Sequence, residues 1–94
     1  MLTRNQAKAY RDFYDSARNN NSLPENQTIL IHLAAAMALG CYPWMNHYLG
    51  VARELGISED QIGSVEAIVM AVAAGRINAQ FREAQKDENE NHNH

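Results

Sequence analysis

The run Ile29-Leu30-Ile31-His32-Leu33-Ala34-Ala35-Ala36-Met37-Ala38-Leu39 constrains the fold of this chain more than any other segment. Its apolar side chains point in every direction around a 3.6-residue repeat, so a helix built from it has no polar face and needs cover on all sides. A chain of 94 residues, 46% hydrophobic but with few large side chains, makes one small domain and cannot supply that cover from its own mass. The single cysteine removes an intramolecular disulfide as a brace. Neighbouring subunits are therefore expected to bury this helix.

The pattern is helical almost throughout, and no window shows the two-residue alternation bounded by turn residues that marks a strand. The fold class is all-α. A first helix is expected over residues 3 to 18, with Tyr10, Phe13, Tyr14 and Ala17 on one face, ended by Asn19-Asn20-Asn21-Ser22. Pro24 suits the first turn of a second helix, Gly40 its end, and Glu25 and Gln27 serve its start. A third runs from near Pro43 to Gly56. Ser58-Glu59-Asp60-Gln61 has the capping-box pattern and opens a fourth, with Val65, Ile68, Val69 and Val72 inward. Gly75 is expected to interrupt it, leaving Ile77 to about Lys86 as a fifth segment. The single domain then spans 1–86, and 87–94 reads as a polar disordered tail with no internal repeat before it.

Eight basic against eleven acidic residues give a net charge of -3, which is no footprint for nucleic acid or for an anionic membrane. The chain opens without the apolar core of a signal peptide, and Ile29–Leu39 is too short to span a bilayer. With one unpaired cysteine it reads as cytoplasmic, with no nucleic acid, membrane, cofactor or metal among its partners. His92 and His94 alternate with asparagine in the tail, where nothing fixes a coordination geometry. Two Asn-x-Ser/Thr triplets, at Asn20 and Asn26, say nothing without secretion.

Cys41 falls between two helices, in Gly40-Cys41-Tyr42-Pro43-Trp44-Met45-Asn46-His47-Tyr48. A helix start offers unpaired N–H groups and a partial positive charge, both of which stabilise a thiolate over a thiol. The alternative is a small, inert buried sulfur. At about 100° per residue, Tyr48 lies two turns on and nearly over Cys41, whereas His47 points roughly 120° away. His47 is either a thiolate partner or a surface histidine. Trp44 and Met45 line a small apolar ligand pocket or pack as core.

The segments Leu39-Gly40-Cys41-Tyr42-Pro43 and Ala52-Arg53-Glu54-Leu55-Gly56-Ile57-Ser58-Glu59-Asp60-Gln61-Ile62 resemble the alkylhydroperoxidase D-like family, which includes the carboxymuconolactone decarboxylases. The resemblance covers about Leu23 to Phe81. It implies an AhpD-like helical bundle of about five helices, assembled as a homotrimer or hexamer. Redox-active members carry a C-x-x-C pair, a histidine four residues later and a glutamate about three turns earlier. Here Cys41 falls on the first cysteine, Trp44 on the second, Tyr48 on the histidine and Ile29 on the glutamate. The resemblance thus implies an antioxidant, peroxidase-type thiol protein in which Cys41 works alone with an external thiol reductant. Tyr48, His47 and His32 are the candidate partners, His32 lying one turn after Ile29 as a relocated proton acceptor or an interface histidine. The competing reading is a non-catalytic member of the family that binds a ligand or a partner as an oligomeric module.

Overall fold

A computed structural model describes residues 1–92 as four α-helices. They are α1 (Arg4–Arg18), α2 (Glu25–Leu39), α3 (Tyr42–Glu54) and α4 (Glu59–His92), and no strand occurs among the described residues. Short-range chemistry sets most of the boundaries. Thr3 opens α1 with a capping box: its Oγ1 accepts from Gln6 N–H at 3.2 Å, and the Gln6 side chain accepts from Thr3 N–H at 2.9 Å. Ser58 and Gln61 repeat the arrangement at the start of α4, both bonds at 3.1 Å.

Two glycines in the left-handed region end α2 and α3. Gly40 has φ +68°, its N–H reaches Met37 O at 3.1 Å and Cys41 N–H reaches Ala36 O at 2.9 Å. Gly56 (φ +75°) repeats the pattern, with Ile57 N–H on Ala52 O at 3.0 Å. This double bond pattern satisfies carbonyls a helix end would otherwise leave open, and only glycine enters it without a steric penalty. The second turn also seeds the core, because Ala52 and Ile57 are both buried.

That core is small. It joins Ile29 and Leu33 of α2, Tyr48 and Ala52 of α3, Ile57 and Ile62, with Tyr14, Leu30, Met37, Leu49, Val51 and Val65 packed around it. Burying each large member contributes about 1.5–3 kcal/mol. α1 adds no buried residue of its own. Asn20 fastens it instead, donating to Ala17 O (2.9 Å) and to Thr28 Oγ1 (3.1 Å) and accepting from Ser22 N–H (3.1 Å) and Leu23 N–H (2.9 Å). Both donors and both acceptor sites of its amide are thereby used.

Two expectations about the C-terminal third are corrected. The fifth helix does not separate, because α4 runs unbroken through Gly75 to His92. A mid-helix glycine costs only about 1 kcal/mol against alanine, while each residue added to an existing helix gains a hydrogen bond. The same cooperativity carries residues 87–92, expected as a disordered tail, into helix, where Glu88 lies 3.6 Å from His92 Nε2. His94 lies outside the described residues. An 18-residue window of α4 has mean hydropathy 1.3, long and apolar enough by composition to cross a bilayer, although Glu66 and Arg76 stand among its apolar side chains.

The chain is far from compact. Its radius of gyration is 18.8 Å, against about 12 Å for a globular domain of this length. Of the 34 residues in α4 only Ile62 is buried, while Ile68, Met70, Val72, Ile77 and Phe81 are each more than 60% exposed. Ile31 and Leu39 leave the all-apolar α2 open as well.

Candidate functional site

Cys41 is the residue that caps the start of α3, with φ −98° and ψ 91°. Its carbonyl accepts the Met45 N–H at 3.0 Å, and Pro43 occupies the first turn, where a missing N–H breaks no bond. The Gly40 turn delivers Cys41 to this position by drawing its N–H back onto Ala36. Cys41 is half-buried, and its side chain makes no capping hydrogen bond with the first-turn amides. It stands at the positive end of α3 without a direct amide contact.

Four of the six residues singled out from the sequence meet in one ring cluster. His32 lies 4.7 Å from Tyr48 between ring centroids, His47 4.8 Å from Tyr48, Trp44 5.6 Å from His47, and Trp44 stacks on Tyr48 at 5.7 Å and 23°. Tyr14 of α1 joins them, stacked on Trp44 at 5.1 Å and 28° and edge-on to His32 at 6.0 Å. The two remaining residues sit differently. Met45 is half-buried and makes none of these ring contacts, and Cys41 caps α3 two turns before Tyr48. Beside Trp44, expected either to line an apolar pocket or to pack as core, stand the rings of Tyr14 and Tyr48.

His32 Nδ1 lies 2.8 Å from Thr28 O, and since a carbonyl only accepts, Nδ1 donates there; in the neutral ring Nε2 is then the acceptor. Tyr48 is 1% exposed and its hydroxyl has no hydrogen-bond partner. Ile29, at the position of the family's glutamate, is wholly buried in the core. Burial raises the Tyr14 phenol above its ordinary value of 10.0, more than Arg18 nearby lowers it. Across the α3–α4 turn the exposed Arg53 guanidinium donates to Glu59 at 2.9 and 3.4 Å, and that bond pulls its own pKa upward.

Two residues escaped the reading of the sequence. Tyr14 looked like one member of an apolar face, yet it alone turns onto the cluster while Tyr10 and Phe13 stay exposed. Thr28 is 3% exposed and links Asn20 to His32 through its hydroxyl and carbonyl. The Asn20-x-Ser22 turn signal was available, but its reach to Thr28 was not.

No cluster of three or more metal-ligating side chains occurs among the described residues. A separate apolar groove of about 350 Å³ lies between α2 and α4, lined by Ile31, Ala35, Ala38, Ile68 and Val72 among others. It opens on the face of α2 turned away from Ile29 and Leu33.

The sequence profile of the carboxymuconolactone decarboxylase family matches residues 6–86. The crystal structure of a protein from Methanobacterium thermoautotrophicum superposes with a TM-score of 0.78 at 23% identity, over 86% of this chain and 92% of that one. At that identity the likeness carries the fold alone. No curated protein matches the sequence.

Proposed function

Because this chain belongs to the carboxymuconolactone decarboxylase family, we propose that it is a single-cysteine thiol redox protein of the AhpD-like, peroxidase type. The observation that carries the reading is the placement of Cys41, its one thiol residue, half-exposed where α3 begins. In the proposed cycle the Cys41 thiolate attacks a peroxide oxygen, the O–O bond breaks, and the products are a sulfenic acid and an alcohol or water. An external thiol displaces water to form a mixed disulfide. A second external thiol releases Cys41 and leaves as the oxidised disulfide. Trp44 stands where a resolving cysteine would be, so both reducing equivalents come from outside.

Tyr48, His47 and His32 are the candidate partners of this thiol within the ring cluster, with Nε2 of the neutral His32 ring as the proton acceptor. A reducing cytoplasm suits such a cycle, and a homotrimer or hexamer would cover the exposed faces of α2 and α4. The test is to expose the protein to one equivalent of peroxide with a 1,3-diketone sulfenic-acid trap, then with a low-molecular-weight thiol, and to weigh the products. The trapped and mixed-disulfide masses should appear on Cys41 and vanish in Cys41→Ser. Their absence from the wild-type chain overturns the proposal. His32→Leu should slow the oxidation while assembly is retained, and an unchanged rate assigns His32 to packing.

A second reading has its own support. The Cys41 sulfur takes no amide hydrogen bond, and Trp44 stacks on Tyr14 and Tyr48 in the place of the second sulfur. A member without redox activity, serving as an oligomeric ligand-binding or interaction module, would have this arrangement, and it predicts that neither mass is formed.

A further inference from the structure

We propose that Trp44 and Tyr48 form a one-electron relay, in which an oxidising equivalent enters at the Trp44 indole and comes to rest as a phenoxyl radical on Tyr48. The two rings stack at 5.7 Å between centroids and 23° between planes, so their π systems face one another. Trp44 is 37% exposed and Tyr48 1%. An oxidant in solution therefore meets the indole first, and the electron that refills it comes from a ring sealed from solvent. At neutral pH an indolyl radical oxidises a phenol once the phenolic proton can leave. Transfer from Tyr48 to Trp44 is then downhill.

Packing alone leaves the Tyr48 hydroxyl unexplained. It is buried without a hydrogen-bond partner, where phenylalanine would fill nearly the same space at lower cost. A buried polar group kept at such a cost calls for a chemical role, and oxidation of a phenol is one that needs the O–H. Loss of an electron turns the phenol into a strong acid, so the radical forms only where a base takes the proton. Two imidazoles pack on the ring, His32 at 4.7 Å and His47 at 4.8 Å. His32 is the oriented one, because its Nδ1 is committed to Thr28 O and Nε2 of the neutral ring is left to accept. Tyr14 also stacks on Trp44, at 5.1 Å and 28°, but it meets His32 only edge-on at 6.0 Å. Tyr48 is therefore where the equivalent settles.

The oxidant is an organic peroxyl radical. It takes one electron from Trp44 and one proton from solvent and leaves as a hydroperoxide. Tyr48 returns the electron to Trp44, and its phenolic proton passes to His32 Nε2 and from there to solvent. The sum is one hydrogen atom moved from the Tyr48 hydroxyl to the peroxyl oxygen, with Trp44 and His32 restored. Cys41 takes no part, so this radical-trapping chemistry stands whether or not the thiol is active.

The test is pulse radiolysis of the whole chain with trichloromethylperoxyl radical as the oxidant, in a Cys41→Ser background so that no thiol competes. Trp44 is the one tryptophan, so the indolyl transient belongs to it alone. That transient should decay at a rate independent of protein concentration while phenoxyl absorbance rises at the same rate. In Tyr48→Phe the phenoxyl rise should be lost and the indolyl transient should persist, although Tyr10, Tyr14 and Tyr42 remain. A phenoxyl rise that survives Tyr48→Phe, or an indolyl transient in the parent that decays without one, overturns the proposal. His32→Leu should slow the rise with helical circular dichroism retained. An unchanged rate with that signal intact overturns the assignment of the proton to His32.

Discussion

Replacing Tyr48 by phenylalanine should make this protein more stable. The ring is 1% exposed, and its hydroxyl is buried with no hydrogen-bond partner. Leaving a buried hydroxyl unsatisfied costs about 1–3 kcal/mol. Phenylalanine keeps the ring, its stack on Trp44 at 5.7 Å and its approach to His32 at 4.7 Å. It gives up only the volume of one oxygen, a packing loss of at most ~1 kcal/mol. The expected balance is a gain of about 1–2 kcal/mol. Equilibrium unfolding in urea, followed by circular dichroism at one fixed chain concentration, reads this out, since association makes apparent stability concentration-dependent. With a slope near 1–2 kcal/mol/M, the midpoint should rise by roughly 1 M while the slope stays the same. A lowered midpoint would refute the reasoning. It would mean the hydroxyl donates a bond worth keeping, to which His32 Nε2 is the open acceptor in the ring cluster.

Three further outcomes follow from the local geometry. Asn20→Ala removes four bonds, one of which ties the end of α1 to Thr28, and should cost about 2 kcal/mol, with hydrogen-exchange protection lost first in α1. Gly40→Ala forces a side chain into φ +68° and should cost about 1–2 kcal/mol, seen as a lower melting temperature and a changed rate of Cys41 alkylation. Burial raises the Tyr14 phenol, so the folded state holds that proton more tightly than the unfolded chain; the associated stability is full below pH 10 and falls as pH rises through the folded value. A titration at 295 nm should therefore show the Tyr14 phenolate appearing after those of exposed tyrosines, and Tyr14→Phe should remove this part of the alkaline loss.

The elements that the sequence announces are those governed by neighbours within about five residues. Gly40 and Gly56 as left-handed stops, Ser58-Gln61 as a capping box and the helices around Cys41 all stand where short-range hydrogen bonding puts them. The reading failed along α4. Treating Gly75 as a break divided the helix between Ala74 and Ile77, where helix propagation carries it through unbroken. The candidate site was half legible. Trp44, His47 and Tyr48 share α3 and their proximity follows from helical spacing. Their meeting with His32 of α2 and Tyr14 of α1 does not, because no local rule relates the rotations of three separate helices.

Sequence alone determined that this chain is all-helical, where α1, α2 and α3 stop, and that its one cysteine opens a helix. Each of those properties is a contest between backbone hydrogen bonds and side chains close along the chain. Tertiary structure alone decided that Tyr14 turns inward while Phe13 does not, that the Tyr48 hydroxyl is buried without a partner, and that α4 stands largely bare of its own chain. Burial depends on what packs across from a residue, and that partner comes from a distant part of the sequence or, for most of α4, from no part of this one.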